Sequence, residues 1–243
     1  MTDPYQIIEG RAAAAILLIA DHGSNHVPTD IDLGIAPALL DLHIAVDIGS
    51  AALTKALAAR LDAPAILAAQ SRLVVDLNRE RDNPGAIPIT SDGHAIAGNA
   101  LETHAREARL RRFWDPYHAA IAALIDRLSP ALLVSVHSFT PRLETAPPDM
   151  PERPWQVGIL YNHDERAVRL ALPLLEARGI VAGDNEPYSG RLLNATMNRH
   201  AEARGLPYLG LEVRNDLIAD DAGVEQWAGL LAPVITATLA GLR

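Results

Sequence analysis

The sequence predicts an α/β/α sandwich. Three observations point to it. Short apolar runs of strand length recur along the chain, longer stretches with helical spacing separate them, and polar segments rich in glycine, proline or asparagine mark the joints. Hydrophobic residues make up 49% of the 243, and aromatics only 4%, so the core is aliphatic. That is enough apolar material for one large domain, expected to span residues 1–243.

Residues 12–20 read as a buried strand opening into Asp21-His22-Gly23-Ser24-Asn25-His26. Ligands of α/β sheets gather at that end of a strand. Residues 46–61 have helical spacing, with Asp47 near the start as either a cap or a site residue. Residues 65–68 and 73–77 read as two short strands. Residues 79–99 form a long polar loop, of a kind usually functional or mobile. Residues 101–128 read as a helix that Pro116 should break or kink. Residues 131–136 are the plainest strand, and His137 follows it. After a proline-rich loop at 147–154 come a strand at 157–161 and a helix at 164–178 capped by Asp164 and stopped by Gly179. A short strand at 180–182, a polar loop at 184–190 and a helix at 191–204 lead to a strand at 206–213 carrying Glu212. A helix over 223–242 ends the chain.

Composition narrows the function. The net charge of -9, without a basic tract, argues against a nucleic-acid surface. The apolar run at 12–20 is too short to cross a bilayer, and the acidic start lacks the basic residues of a signal peptide, so a soluble cytoplasmic protein is expected, without membrane partners. There is no cysteine, so any metal must be held by histidine, carboxylate, amide or water.

Several side chains could carry chemistry. His22 and His137 each stand at the end of an apolar strand, where two imidazoles can converge on one ion such as zinc. A third ligand is open among Asn25, His26, Asp47 and water. Arg72 and Arg79, with Asn78 beside the second, suit a carboxylate, because guanidinium pairs with it through parallel hydrogen bonds and asparagine adds an uncharged donor. Glu212 lies in an apolar strand, which is costly for a carboxylate unless it is paired or functional. It is either a general base for a water or the partner of Arg214, which shares its face of the strand. His43, His94, His104 and His163 read as solvated, His118 and His200 as structural, and the three tryptophans as packing anchors. There is no nucleophile elbow, phosphate-binding glycine loop or His-Glu-x-x-His motif.

Eight blocks in order carry a resemblance. They are His22-Gly23-Ser24-Asn25 with Val27-Pro28, Asp76-Leu77-Asn78-Arg79, Ser91-Asp92-Gly93 with Gly98-Asn99, and Trp114-Asp115-Pro116-Tyr117-His118. His137-Ser138-Phe139-Thr140-Pro141, Arg153-Pro154-Trp155, Asp184-Asn185-Glu186-Pro187-Tyr188-Ser189 and Leu211-Glu212-Val213-Arg214-Asn215-Asp216-Leu217 complete the set. Together they resemble the N-formylglutamate amidohydrolase family, itself similar to zinc carboxypeptidases and aspartoacylases.

The resemblance implies a mixed sheet and one zinc ion. It implies that His22 and His137 bind the metal, that Glu212 activates water, and that Arg72 polarises the scissile carbonyl. It implies that Asn78 and Arg79 hold the substrate carboxylate and that Tyr188 closes over the substrate. Where carboxypeptidases carry a glutamate three residues after the first histidine, this chain has Asn25, so the third ligand is expected to be Asn25, Asp47 or water.

The expected function is metal-dependent hydrolysis of an N-acyl amino acid, a small anionic substrate, with N-formyl-L-glutamate as the reference. The alternatives are a hydrolase of another N-acyl amino acid or small peptide with a free carboxylate, and a carboxylate-binding protein that has lost its metal.

Overall fold

The computed structural model describes residues 3–10 and 15–243. Its strands are β1 (Tyr5–Ile8), β2 (Ile16–Ala20), β3 (Ala65–Ala68), β4 (Thr90–Ser91), β5 (His94–Ala95), β6 (Leu132–Phe139), β7 (Val157–Leu160), β8 (Ala182–Asp184) and β9 (Tyr208–Arg214). Its α-helices are α1 (Ser50–Leu61), α2 (Thr103–Leu128), α3 (Arg166–Glu176), α4 (Ala195–His200) and α5 (Asp221–Gly241). Seven strands form one sheet in the order β1-β3-β2-β6-β9-β7-β8, and β4 and β5 pair separately as a small hairpin.

The sheet is mixed. β3, β2, β6 and β9 run parallel, whereas β1 on β3 and β7 on β9 are antiparallel. The central strands are buried on both faces, so they read in sequence as unbroken apolar runs rather than alternating ones. The connection from β2 to β3 moves one way along the sheet, and that from β3 to β6 moves back past β2. Right-handed crossovers therefore place α1 and α2 on opposite faces. Helix α5 packs on α1 and α3, and α4 packs on α2, which completes three layers.

The reversal has a consequence for position. Where successive connections leave in opposite directions, a crevice opens beyond the carboxyl ends of the two strands concerned. Here those strands are β2 and β6, the two that lead to His22 and carry His137.

Several local expectations are corrected. Residues 73–77 are a buried stretch of turns, not a strand: Val74 N–H bonds to Ser71 O at 2.9 Å, and Arg79 N–H to Asp76 O at 3.3 Å. A short apolar run signals burial but does not by itself select an extended backbone. Pro116 does not break α2, which continues through it. The lost hydrogen bond costs about 3 kcal/mol, and each large buried side chain of Phe113, Trp114, Tyr117 and Ile121 contributes on the order of 1.5–3 kcal/mol.

The strand expected at 180–182 forms at Ala182–Asp184, and the helix expected over 191–204 contracts to α4. Helix α3 takes Glu165 rather than Asp164 at its cap position, while Asp164 accepts from Arg166 N–H at 3.0 Å. The edge strand β1 was not anticipated, and the first residues of the strand expected at 12–20 lie outside the described residues. The 79–99 loop is packed rather than loose. Asn99, buried within it, donates to Leu73 O and Pro88 O, both at 2.8 Å, and accepts from Arg109.

Candidate active site

The crevice is a cavity of about 170 Å³. Its lining includes His22, Asp47, Arg72, Asp76, Asn78, Arg79, His137, Tyr188 and Glu212. The site residues anticipated from the sequence are therefore at the cavity except for two candidate third ligands, His26, which is exposed, and Asn25. The Asn25 side chain is exposed and donates to Asp41 Oδ1 at 3.1 Å, so it is no candidate for the third ligand in this structure.

Asp47 occupies the corresponding place. Its backbone N–H bonds to His22 O at 3.1 Å, which staples its loop to the end of β2. Gly49, two residues on, adopts a φ of 80°, and a Cβ there would fall 2.2 Å from Ile218 O. Glycine thus lets the chain turn sharply from Asp47 into α1. The side chain does not cap the helix but enters the cavity, where Asp47 Oδ2 lies 3.3 Å from His22 Nδ1 and 2.8 Å from His137 Nδ1. His22, Asp47 and His137 present ligand atoms that all lie within 4.8 Å of one another.

The far side of each imidazole meets a second carboxylate. His22 Nε2 is 2.7 Å from Asp76 Oδ1, and His137 Nε2 is 3.4 Å from Asp21 Oδ2. Tyr117 donates to the other Asp21 oxygen at 2.8 Å, and Arg72 braces Asp47 and Asp76 through Nη1 and Nη2 at 3.0 and 2.8 Å. A histidine that ligates a metal through one nitrogen is commonly oriented by a carboxylate on the other, and both histidines have that arrangement here. The carboxylates of Asp21, Asp47, Asp76 and Glu212 are buried together against the guanidinium of Arg72, with that of Arg79 farther off at 3.9 Å from Asp76. A divalent cation held by His22, Asp47 and His137 would balance that excess. Two imidazoles and a carboxylate, with a position left open, also form a zinc donor set.

The electrostatics agree. Burial and Arg72 oppose the charged form of His22, but Asp76 and Asp47 outweigh them and raise its pKa. Burial likewise opposes a charged His137, yet Asp21, Asp47 and Glu212 carry it well above the ordinary value. Burial also opposes ionisation of Asp47, but the two histidines and Arg72 hold its carboxyl well below the usual range. The cluster as a whole favours positive charge between its carboxylates.

Glu212 is the Cα partner of His137 across β6 and β9, which puts both side chains on one face of the sheet. It does not pair with Arg214, which binds Asp216 instead at 2.8 and 3.1 Å. Burial pushes the Glu212 carboxyl up to about 7. A carboxyl near neutrality can both take and return a proton at ordinary pH.

Asn78 and Arg79 are held from behind. Asn78 Oδ1 accepts from Thr196 N–H at 3.0 Å, leaving the amide hydrogens as the donors available to a ligand. Among the described residues, the carboxylate paired with the Arg79 side chain is that of Asp76, with Oδ2 at 3.9 Å. The Arg79 carbonyl accepts from Trp114 Nε1 at 3.0 Å.

The His118–His200 pair buttresses the same segment. His118 Nε2–H donates to Leu77 O at 3.0 Å, so its Nδ1 accepts from His200 Nε2–H at 2.9 Å. Tyr188 arrives on a loop that crosses β7 where Gly158 stands opposite Glu212. A Cβ at Gly158 would lie 1.9 Å from Glu186 O.

Three features were missed in the sequence. His43, expected to be solvated, lines the cavity and bonds to Asp92 Oδ2 at 2.9 Å. Asp21 was legible as the neighbour of His22 at a strand end, and Asp76 as a carboxylate inside the arginine-flanked block. Their role behind the imidazoles was not, because it rests on contacts across 116 residues for Asp21 and His137 and 54 for His22 and Asp76.

A buried glutamate beside a histidine–carboxylate cluster, at the carboxyl ends of parallel strands, is the equipment of a hydrolase. The model of the N-formylglutamate amidohydrolase family matches residues 14–219, and the chain belongs to that family. Among solved structures, it is similar to a gene product of Agrobacterium tumefaciens, with 29% identity and a TM-score of 0.92 over 98% of this chain and 96% of that one. It is also similar to the N-formylglutamate amidohydrolase from Ralstonia eutropha, with 20% identity and a TM-score of 0.71 over 100% of this chain and 99% of that one. No curated protein matches. Among the described residues, no helix is long and apolar enough to cross a membrane.

Proposed function

We propose that this protein hydrolyses the amide bond of N-formyl-L-glutamate, releasing formate and glutamate, with one zinc ion held by His22, Asp47 and His137. The observation that carries the reading is Glu212: buried, in register with His137, and facing the cavity with its carboxyl near 7. When bound, the ion supplies a Lewis acid for the formyl carbonyl and makes water more acidic.

The residues of the chain do the rest. Asn78 and Arg79 bind the α-carboxylate, which fixes the formyl group relative to Glu212. Glu212 takes a proton as the water oxygen bonds to the formyl carbon, and returns it to nitrogen as the carbon–nitrogen bond breaks. Arg72 positions Asp47 and Asp76 and places positive charge where the carbonyl oxygen becomes negative. Asp21 and Asp76 keep the outer nitrogens of the histidines occupied, so that the inner ones face the ion.

The test is elemental analysis of protein purified without chelator, alongside formate release from N-formyl-L-glutamate before and after chelation. About one zinc per chain with release that chelation abolishes and zinc restores is the expected result. Metal without release would move the search to other N-acyl amino acids with a free carboxylate. Release that survives complete metal removal would refute the mechanism. Asp47, beside the two histidines where Asn25 is not, supports a metal-holding hydrolase over a metal-free binding protein.

A further inference from the structure

Arg153 stands directly behind three residues that line the same cavity, Phe139, Thr140 and Tyr188. Its Nη1 donates to Thr140 O at 2.9 Å and to Tyr188 Oη at 3.0 Å, and both of those residues line the cavity. The guanidinium carbon lies 4.8 Å over the Tyr188 ring and 5.8 Å over that of Phe139, another lining residue. Its backbone is pinned as well: N–H donates to Pro141 O at 2.9 Å, and the carbonyl accepts from Arg214 at 3.4 Å.

The charge of this half-buried side chain has no carboxylate partner among the described residues, although the chain carries a net charge of -9. Only Nη1 is engaged by acceptors. The Nε and Nη2 edge is the one through which Arg81 grips Asp115 and Arg214 grips Asp216. At Arg153 that edge meets no acceptor among the described residues. A guanidinium partly withdrawn from water gains most from an anion on that fork.

Tyr188 adds a second donor. Arginine can only donate, so the Tyr188 oxygen accepts, and its own hydrogen is left for a ligand in the cavity. A cation behind a phenol strengthens it as a donor. Arg79 and Asn78 are assigned to the α-carboxylate, and both Nη groups of Arg72 are bound to Asp47 and Asp76. A second carboxylate on the substrate therefore needs a cation of its own, and Arg153 is placed to be it.

We infer that Arg153, with Tyr188, binds the side-chain carboxylate of the substrate and makes the enzyme selective for N-acyl amino acids with acidic side chains. The inference rests on the proposed amidohydrolase activity and adds the residue that chooses among its substrates.

The test compares kcat/KM for N-formyl-L-glutamate and for its neutral isostere N-formyl-L-glutamine, using the zinc-loaded wild type, Arg153→Gln and Arg153→Lys. The wild type should prefer the glutamate substrate. Arg153→Gln should reduce that preference about 10- to 100-fold, mainly through KM for glutamate, because a hydrogen bond to a charged group is lost. Arg153→Lys should restore part of it, since it keeps the charge without the fork. Equal use of both substrates by the wild type would overturn the inference and leave the amidohydrolase reading standing. So would a loss in Arg153→Gln shared equally by the two substrates, which would mark a structural prop. If the wild type hydrolyses neither substrate, the N-formyl-L-glutamate reading fails and this inference falls with it.

Discussion

Glu212 lies at the centre of the proposed chemistry, and its environment predicts its behaviour. Glu212→Gln keeps the shape and removes the base. Turnover should fall about 10²- to 10⁴-fold while substrate binding, measured by calorimetry, persists. A variant that turns over at the wild-type rate would show that another group takes the proton. The pH profile follows from the same carboxyl. It acts only when ionised, so kcat/KM should fall as pH drops through its pKa. Burial raises that value to about 7, and a bound cation lowers it, so the acid limb should lie at or below about 7.

Asp47 and Asn25 make the second residue-scale contrast. Asp47→Asn should weaken zinc affinity by at least about 10- to 100-fold, the loss typical when even an outer partner of a metal ligand is removed. Asn25→Ala should leave zinc content as it was, because Asn25 reaches Asp41 rather than the cluster. The reverse outcome in a zinc titration would restore Asn25 as the ligand. His22 and Asn25 are three residues apart, a spacing that suggested convergence. The turn after β2 sends one inward and the other to solvent.

At the scale of elements, the loop bearing Tyr188 depends on what lies beneath it. Gly158→Ala would place a methyl group against the Glu186 carbonyl, in a strand position with little room to shift. We expect a loss of about 1–3 kcal/mol in denaturant unfolding, with a raised KM as the loop lifts. Unchanged stability and KM would show that the loop can move without cost. The strand positions that matter most were legible as apolar runs. The 73–77 segment was misread because its burial is that of a strand, while Ser71 and Asp76 bend it through local hydrogen bonds. Ser71 Oγ donates to Ala45 O at 2.7 Å and accepts from Leu73 N–H, which draws Arg72 toward the segment that carries Asp47.

At the scale of the whole molecule, the His118–His200 pair links stability to pH. Burial depresses His118 to about 4 and His200 to about 3, against an ordinary value of 6.5. Above 6.5 both forms of the chain leave these groups neutral, and stability is complete. As pH falls below 6.5 the unfolded chain takes up protons first, and stability is lost progressively until the folded values are passed. For His118 alone the loss approaches roughly 3 kcal/mol. Unfolding free energy measured from pH 7 to 4 should show this decline, and His200→Gln, which can still donate to His118, should make it shallower. An identical slope in the variant would assign the acid sensitivity elsewhere.

Much was decided by sequence alone. Apolar runs and helical spacing determined an α/β sandwich, because burial imposes a period on the chain whatever it packs against. Polar residues at strand ends nominated His22, His137 and Glu212, because a buried polar group needs a reason. The absence of cysteine limited any metal site to nitrogen and oxygen donors. Tertiary structure alone decided which oxygen joins the two histidines and which carboxylates stand behind them. It also decided that His43 enters the cavity and that Arg153 backs Tyr188. Those contacts join residues far apart in the chain. They follow from the reversal between β2 and β6 and the register of β6 with β9, which no local pattern encodes.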